Sequence, residues 1–103
     1  MRQFRFRRLA EADLEQAAAY YTEHAGEDVA QVLRNAARNA VLLLCEQPFV
    51  GAPAEEALAA LPKLRSWTLR GFPCRIFYLV AETEIEIIRV LHDARSRSEE
   101  TRS

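Results

Sequence analysis

Along this chain, apolar residues recur first at period two, then at helical spacing, then at period two again. Phe4 and Phe6 alternate with Arg5 and Arg7, which predicts a short strand, polar on its outer face. From Leu9 the spacing lengthens. Ala10, Leu14, Ala17, Ala18 and Tyr21 share one helical face. Glu11, Asp13 and Glu15 crowd the first turns, where the helix dipole favours negative charge. His24 falls near the end, in reach of terminal carbonyls, and Gly26 is the expected stop. A second helix is predicted from about Glu27 to Glu46, with Val29, Leu33, Ala36, Ala37, Ala40 and Leu44 as its inner stripe. Val32, Leu42 and Leu43 widen that stripe, so the far end is expected to be covered on more than one side. Pro48 bars continuation and biases Gln47 away from helix. The short link at Gly26 implies an antiparallel hairpin, and its alanine-rich faces permit close approach.

The stretch from Pro48 to Lys63 is irregular, with Ala54 to Leu61 forming at most a helical turn or two. Period two then returns. Trp67 and Leu69 alternate with Ser66, Thr68 and Arg70, Gly71 to Pro73 make a turn, and Cys74 to Ala81 is the most strand-like run. After Glu82-Thr83-Glu84, the run Ile85 to Leu91 is apolar on both faces except at Glu86 and Arg89, which suits a central strand. The predicted order is β-α-α-β-β-β. Segregated helices and strands argue an α+β fold, with the helix hairpin on one face of a small, mostly antiparallel sheet. Arginines are expected to collect on the other face. Residues 1–95 read as one domain and 96–103 as a polar, frayed tail.

Half of the 103 residues are hydrophobic, enough for one small core without metal or disulfide staples. No run approaches the roughly 18 apolar residues of a membrane span. The basic start at Met1–Arg8 lacks the apolar segment of a secretory signal, so a cytoplasmic protein is expected. Cys45 and Cys74 are far apart, with no CxxC or metal spacing, and read as free buried thiols. The net charge of −1 conceals an asymmetry: residues 1–62 carry −3, residues 63–97 carry +3, and the tail −1. A dedicated nucleic-acid binder is usually basic throughout. Direct nucleic-acid binding is therefore not expected.

Candidate chemistry concentrates in the basic half. Arg65, Arg75, Arg89 and Arg95 could supply cations, and His92 titrates near neutrality. Each also has a plain structural reading. Arg89 could pair with Glu86 or a helix carboxylate, His92 could be a strand-end hydrogen-bonding residue, and Tyr20 and Tyr21 could be the core and rim of the hairpin. Trp67 reads as core, or as an edge anchor for a partner. His24 and His92 are too isolated for a metal site, and no glycine-rich phosphate loop exists, so neither metal nor cofactor is expected.

Asp13-Leu14, Tyr20-Tyr21, Gly26 between the helices, Pro48 with Gly51, Leu64-Arg65, Phe72-Pro73 with Ile76-Phe77-Tyr78, and Ile87 to Arg95 together resemble the ParE branch of the ParE/RelE toxin superfamily. The resemblance covers nearly the whole chain. It implies the toxic half of a bacterial type II toxin–antitoxin module, held inactive by a ParD-like antitoxin. Two activities occur in the superfamily: ParE-like members poison DNA gyrase by protein–protein contact, and RelE-like members cut messenger RNA on the ribosome.

The ribonuclease alternative needs a base, a cation for the phosphate and an acid for the leaving oxygen. His92, Arg89, Arg95 and Arg65 are its candidates. RelE-like toxins typically end in a tyrosine or a His-Tyr, whereas Ser96-Arg97-Ser98 follow Arg95 here, and Asp93 sets a negative charge beside His92. The favoured expectation is a gyrase inhibitor without catalytic residues of its own. An inactive antitoxin-binding module is a further alternative. Antitoxin would cover the surplus apolar residues Val32, Leu42, Leu43 and Val50, with Phe49 in the loop beside them and Trp67 as part of the same partner patch, and its carboxylates would meet Arg75 or Arg89.

Overall fold

A computed structural model of the chain describes residues 1–54 and 61–92. Strand β1 (Gln3–Phe6) leads into helix α1 (Arg8–Ala25), and helix α2 (Glu27–Glu46) follows after one residue. That residue is Gly26, at φ 100° and ψ 159°. It ends one helix and begins the next in a conformation that side chains with a Cβ rarely adopt. The chain then forms β2 (Ala52–Pro53), β3 (Arg65–Thr68), β4 (Cys74–Val80) and β5 (Glu84–His92).

The five strands make one sheet in the order β1-β5-β4-β3-β2. β1 pairs with β5 in parallel; the other three pairings are antiparallel. The α+β architecture expected from the sequence is present, with the long apolar run of β5 in the sheet interior. The two-residue strand β2 lies in the stretch read as irregular. It is too short for any periodicity, and it forms because Ala52 and Pro53 lie against Ser66 and Arg65. The turns expected at 55–60 and the tail 96–103 lie outside the described residues.

The main core lies between the hairpin and one face of the sheet. Ala10, Ala17 and Ala18 from α1, with Ala30, Leu33, Ala37, Val41 and Leu44 from α2, meet Ile76, Tyr78, Ile85 and Ile87. Each fully buried large aliphatic contributes about 1.5–3 kcal/mol relative to exposure. Val41 and Cys45 are buried although the predicted stripe omitted them, whereas Val29 and Ala36 are half-buried. Leu42 and Leu43 are half-buried too, and Val32 stands 56% exposed.

The opposite sheet face carries a second apolar cluster, Ala54, Leu64, Phe77 and Ile88, with Leu79 and Leu91 half-buried against it. The face expected to collect arginines is therefore partly apolar. Arg75 lies there over the Phe77 ring at 5.0 Å, and Arg5 lies on the same face across from Glu86. Arg5 and Arg7 pair with Glu84 and Glu86, and Arg89 pairs with α1.

A β-bulge sets the last feature of the sheet. Arg89 pairs with Phe77 and Ile87 with Tyr78, so two steps on β5 match one on β4. The extra residue reverses the alternation. Ile85 and Ile87 face the helices before it, and Val90 and His92 face them after it.

Candidate functional site

The residues singled out by their chemistry fall into three separate places. At the bulge, Asp13 of α1 grips β5. Its Oδ2 accepts hydrogen bonds from Arg89 Nε at 2.7 Å and from the Val90 N–H at 3.0 Å. Its Oδ1 accepts from Arg89 Nη2 at 2.9 Å. The planar guanidinium suits such two-point pairing. The carboxylate raises the Arg89 pKa further above its ordinary value, chiefly through these hydrogen bonds. Arg89 therefore has its charge matched inside the fold by a helix carboxylate.

At the end of β5, His92 is buried against the hairpin. Its Nε2 and the Tyr21 hydroxyl share a hydrogen bond of 2.8 Å. The Tyr20 ring lies 5.0 Å from the imidazole and stacks on His24 at 4.3 Å. His24 Nδ1 donates to the Tyr20 carbonyl at 2.9 Å. Burial pushes the Tyr21 phenol above its ordinary pKa, with smaller contributions from Cys74 and Tyr20. Tyr21 and His92 thus join α1 to the sheet edge-on, the phenol ring also meeting Phe72.

Arg65 stands apart from both. Its Nη2 donates to the Phe49 carbonyl at 3.2 Å and its guanidinium lies 5.3 Å from the Phe49 ring centroid. The same loop is pinned by Tyr78, whose hydroxyl donates to the Pro48 carbonyl at 2.8 Å and accepts from the Gly51 N–H at 3.0 Å. Arg95 lies outside the described residues. Arg65, Arg89 and His92 thus have three different partners: Phe49 in the loop after α2, and Asp13 and Tyr21 at separate positions on α1. Among the described residues, no three His, Cys, Asp or Glu side chains gather as metal ligands, and no helix is long and apolar enough to cross a membrane. Cys45 and Cys74 are both buried and form no disulfide.

Of the apolar candidates, Leu43 and Trp67 share a groove, whereas Leu42 lies on the other flank of α2 and Val32 stands exposed. Trp67 on β3 is half-buried and lines a groove of roughly 600 Å³ with Ala36, Ala40 and Leu43 of α2. The β2 strand covers only Arg65 and Ser66, so the groove continues past the covered part of β3. On its other side, α2 borders two further concavities. One holds Phe4, Leu42 and Cys45; the other holds Phe6, Leu14, Arg34 and Arg38. Sequence reading missed Phe4, Arg34 and Arg38 as surface features. One signal was available: from Gln31 to Cys45, α2 has no acidic residue.

A family model described as the ParE toxin of type II toxin–antitoxin system, parDE, matches residues 4–97. Comparison with curated proteins gives no match. A solved structure of the chromosomal ParDE TA system from P. aeruginosa is similar, with a TM-score of 0.75 and 26% identity. The similarity covers 89% of this chain and 96% of that one.

Proposed function

The chain belongs to the ParE toxin family of type II toxin–antitoxin systems, and from that premise we propose that it acts in the cytoplasm by binding DNA gyrase and is silenced by a ParD-like antitoxin. One observation carries the choice of a contact-acting toxin over a messenger-RNA nuclease. Arg89 and His92 are held by partners in the fold, Asp13 and Tyr21. A general acid or phosphate-binding cation must be presented to substrate. Here the guanidinium is matched by a carboxylate and the imidazole is buried under the hairpin.

Antitoxin binding rests on the apolar surface of α2. The proposed patch takes in both flanks of α2, Leu43 with Trp67 of β3 on one and Leu42 on the other, with Val32 exposed and Arg75 as a cation on the far face of the sheet. Arg89 remains part of the proposed patch through its side chain, which is about a third exposed, but its charge is already shared with Asp13. An interface able to silence a toxin should bury more than about 1,000 Å² in total.

The test is a supercoiling assay with purified gyrase from the cognate bacterium. Inhibition of supercoiling, or trapped cleavage complexes, is expected from folded protein. An inert result there, with messages cut in a translating extract, would replace this reading with the ribonuclease. Inertness in both assays, with the antitoxin still bound, would leave an antitoxin-binding module.

A further inference from the structure

We propose that the loop after α2 is the surface with which the toxin engages its protein target, Phe49 being the aromatic anchor and the cavity beside it the socket for an apolar side chain next to a carboxylate. The inference deepens the reading of the chain as a contact-acting toxin and rests on it. Three observations carry it.

The loop exposes apolar residues in a row. Phe49 is 63% exposed and Val50 40%, and Ala52 and Pro53 after them are exposed as well. Among the described residues, neither Phe49 nor Val50 packs into either apolar cluster. A contiguous apolar patch of this kind marks a contact surface.

The loop is nonetheless fastened on both sides of its exposed tip. Tyr78, buried in the sheet, holds the Pro48 carbonyl and the Gly51 N–H with one hydroxyl, and Arg65 holds the Phe49 carbonyl between them. Gly51 has no room for a Cβ, so the close approach to Tyr78 is built into the chain. An exposed aromatic on a fixed backbone loses less freedom on binding than one on a mobile loop, and such residues dominate contact energies.

The third observation sets the partner's chemistry. Phe49 borders a cavity of roughly 470 Å³ lined also by Leu64, Leu79 and Val80. Lys63 and Arg65 line it too, and Glu86, the carboxylate among its described lining residues, is paired with Arg5 and Arg7. Lys63 stands at φ 70°, a left-handed conformation of the sort that gathers at binding sites. Aliphatic walls under a positive rim fit an apolar side chain beside a carboxylate. A second copy of this chain would set like cations against each other. The phosphates of a nucleic acid would meet the cations but leave Val50 and the aliphatic walls uncovered. The cavity shares no described lining residue with the grooves at Trp67 and Leu42, so the loop can be altered apart from the proposed antitoxin patch.

The experiment uses the full chain against purified cognate gyrase, with growth arrest on expression without antitoxin as a second readout. Phe49→Ala should raise the concentration for half-inhibition of supercoiling about tenfold or more and relieve growth arrest. It should unfold at the wild-type temperature and copurify with the antitoxin undiminished. Leu9→Ala, at a residue 60% exposed on α1, should inhibit like wild type. Arg65→Gln should weaken inhibition and flatten its dependence on salt, a change that a packing role alone would not produce. Inhibition by Phe49→Ala equal to wild type would overturn the proposal with the gyrase reading intact, and an unchanged salt dependence in Arg65→Gln would overturn the carboxylate. Loss of antitoxin copurification along with inhibition would overturn it by assigning the loop to the antitoxin. A dimer of the free chain that Phe49→Ala dissolves, or binding to phosphatidylglycerol vesicles that it abolishes, would overturn it in favour of a second copy or a lipid surface. Wild-type protein that arrests growth without touching gyrase, the arrest being relieved by Phe49→Ala at equal soluble level, would refute gyrase and support the loop as the target contact. Wild-type protein inert in both readouts would overturn both.

Discussion

Asp13, in the second turn of α1, holds Arg89 at the bulge of β5 through two hydrogen bonds of 2.7 and 2.9 Å, 76 residues away along the chain. The same carboxylate takes the Val90 N–H, a backbone donor next to the site where the ladder is disrupted. One side chain thus fixes the helix layer on the sheet and stabilises the irregular point of the strand.

Asp13→Ala should therefore destabilise the fold by about 2 kcal/mol or more, since hydrogen bonds to charged groups are worth about 1.5–3 kcal/mol. Urea unfolding measures it. A cycle with Arg89→Ala should show strong coupling, because the second change removes a cation already orphaned by the first. Strict additivity would mean that the pair does not hold the helix down.

Tyr21→Phe removes one half of the link to His92 and keeps the ring against Phe72. The expected loss is about 1 kcal/mol. For a domain of this size that corresponds to a melting point lower by roughly 4–8 °C. His92→Gln should still inhibit gyrase once enough folded protein is present. Loss of inhibition with folding intact would give His92 a functional rather than structural role.

Gly51 is needed for space. A Cβ there would lie 2.5 Å from the Tyr78 hydroxyl and 2.6 Å from the Ser66 carbonyl oxygen. Gly51→Ala should cost about 1–3 kcal/mol by forcing the loop away from Tyr78. Gly26→Ala meets no atom within 4 Å, so its cost comes from backbone conformation alone at φ 100°. Thermal unfolding of the two variants should fall together with loss of the Tyr78 anchor only in the first, read from the tyrosine absorbance.

Acid should act partly through Glu86. The Arg7 guanidinium, donating at 2.6 and 2.9 Å, holds this carboxyl below its ordinary pKa, with Arg5 adding to it. A lowered folded-state value means the pairing stabilises the protein above the unfolded value, about 4.3. That contribution disappears as pH falls through the folded value. Wild type should therefore lose stability between pH 5 and the acid limit faster than Glu86→Gln does. Because Arg7 is 49% exposed, the effect should shrink in high salt. Parallel acid limbs for the two proteins would remove Glu86 from the account.

The sequence by itself determined the elements other than β2, because each of those has a local cause, whereas β2 forms only by pairing with β3. Gly26 and Pro48 bound α2, alternation marks β1, β3 and β4, and alanines at helical spacing mark the hairpin. It also determined the family likeness, carried by short runs such as Phe72-Pro73 and Ile76-Phe77-Tyr78. Tertiary structure alone decided which way the end of β5 faces. The bulge opposite Phe77 and Tyr78 reverses the alternation, so His92 turns under Tyr21 instead of away from it. No local pattern encodes that reversal, since Ile87, Ile88 and Val90 are apolar on either face. Partner choice was equally non-local. The sequence offered Arg89 either Glu86 or a helix carboxylate, and Asp13 is the partner because α1 lies over β5, while Arg5 of β1 and Arg7 just after it occupy Glu86. The arginines of α2 were present in the order of residues, but only the burial of its alanines in the core left Val32 and Arg38 exposed.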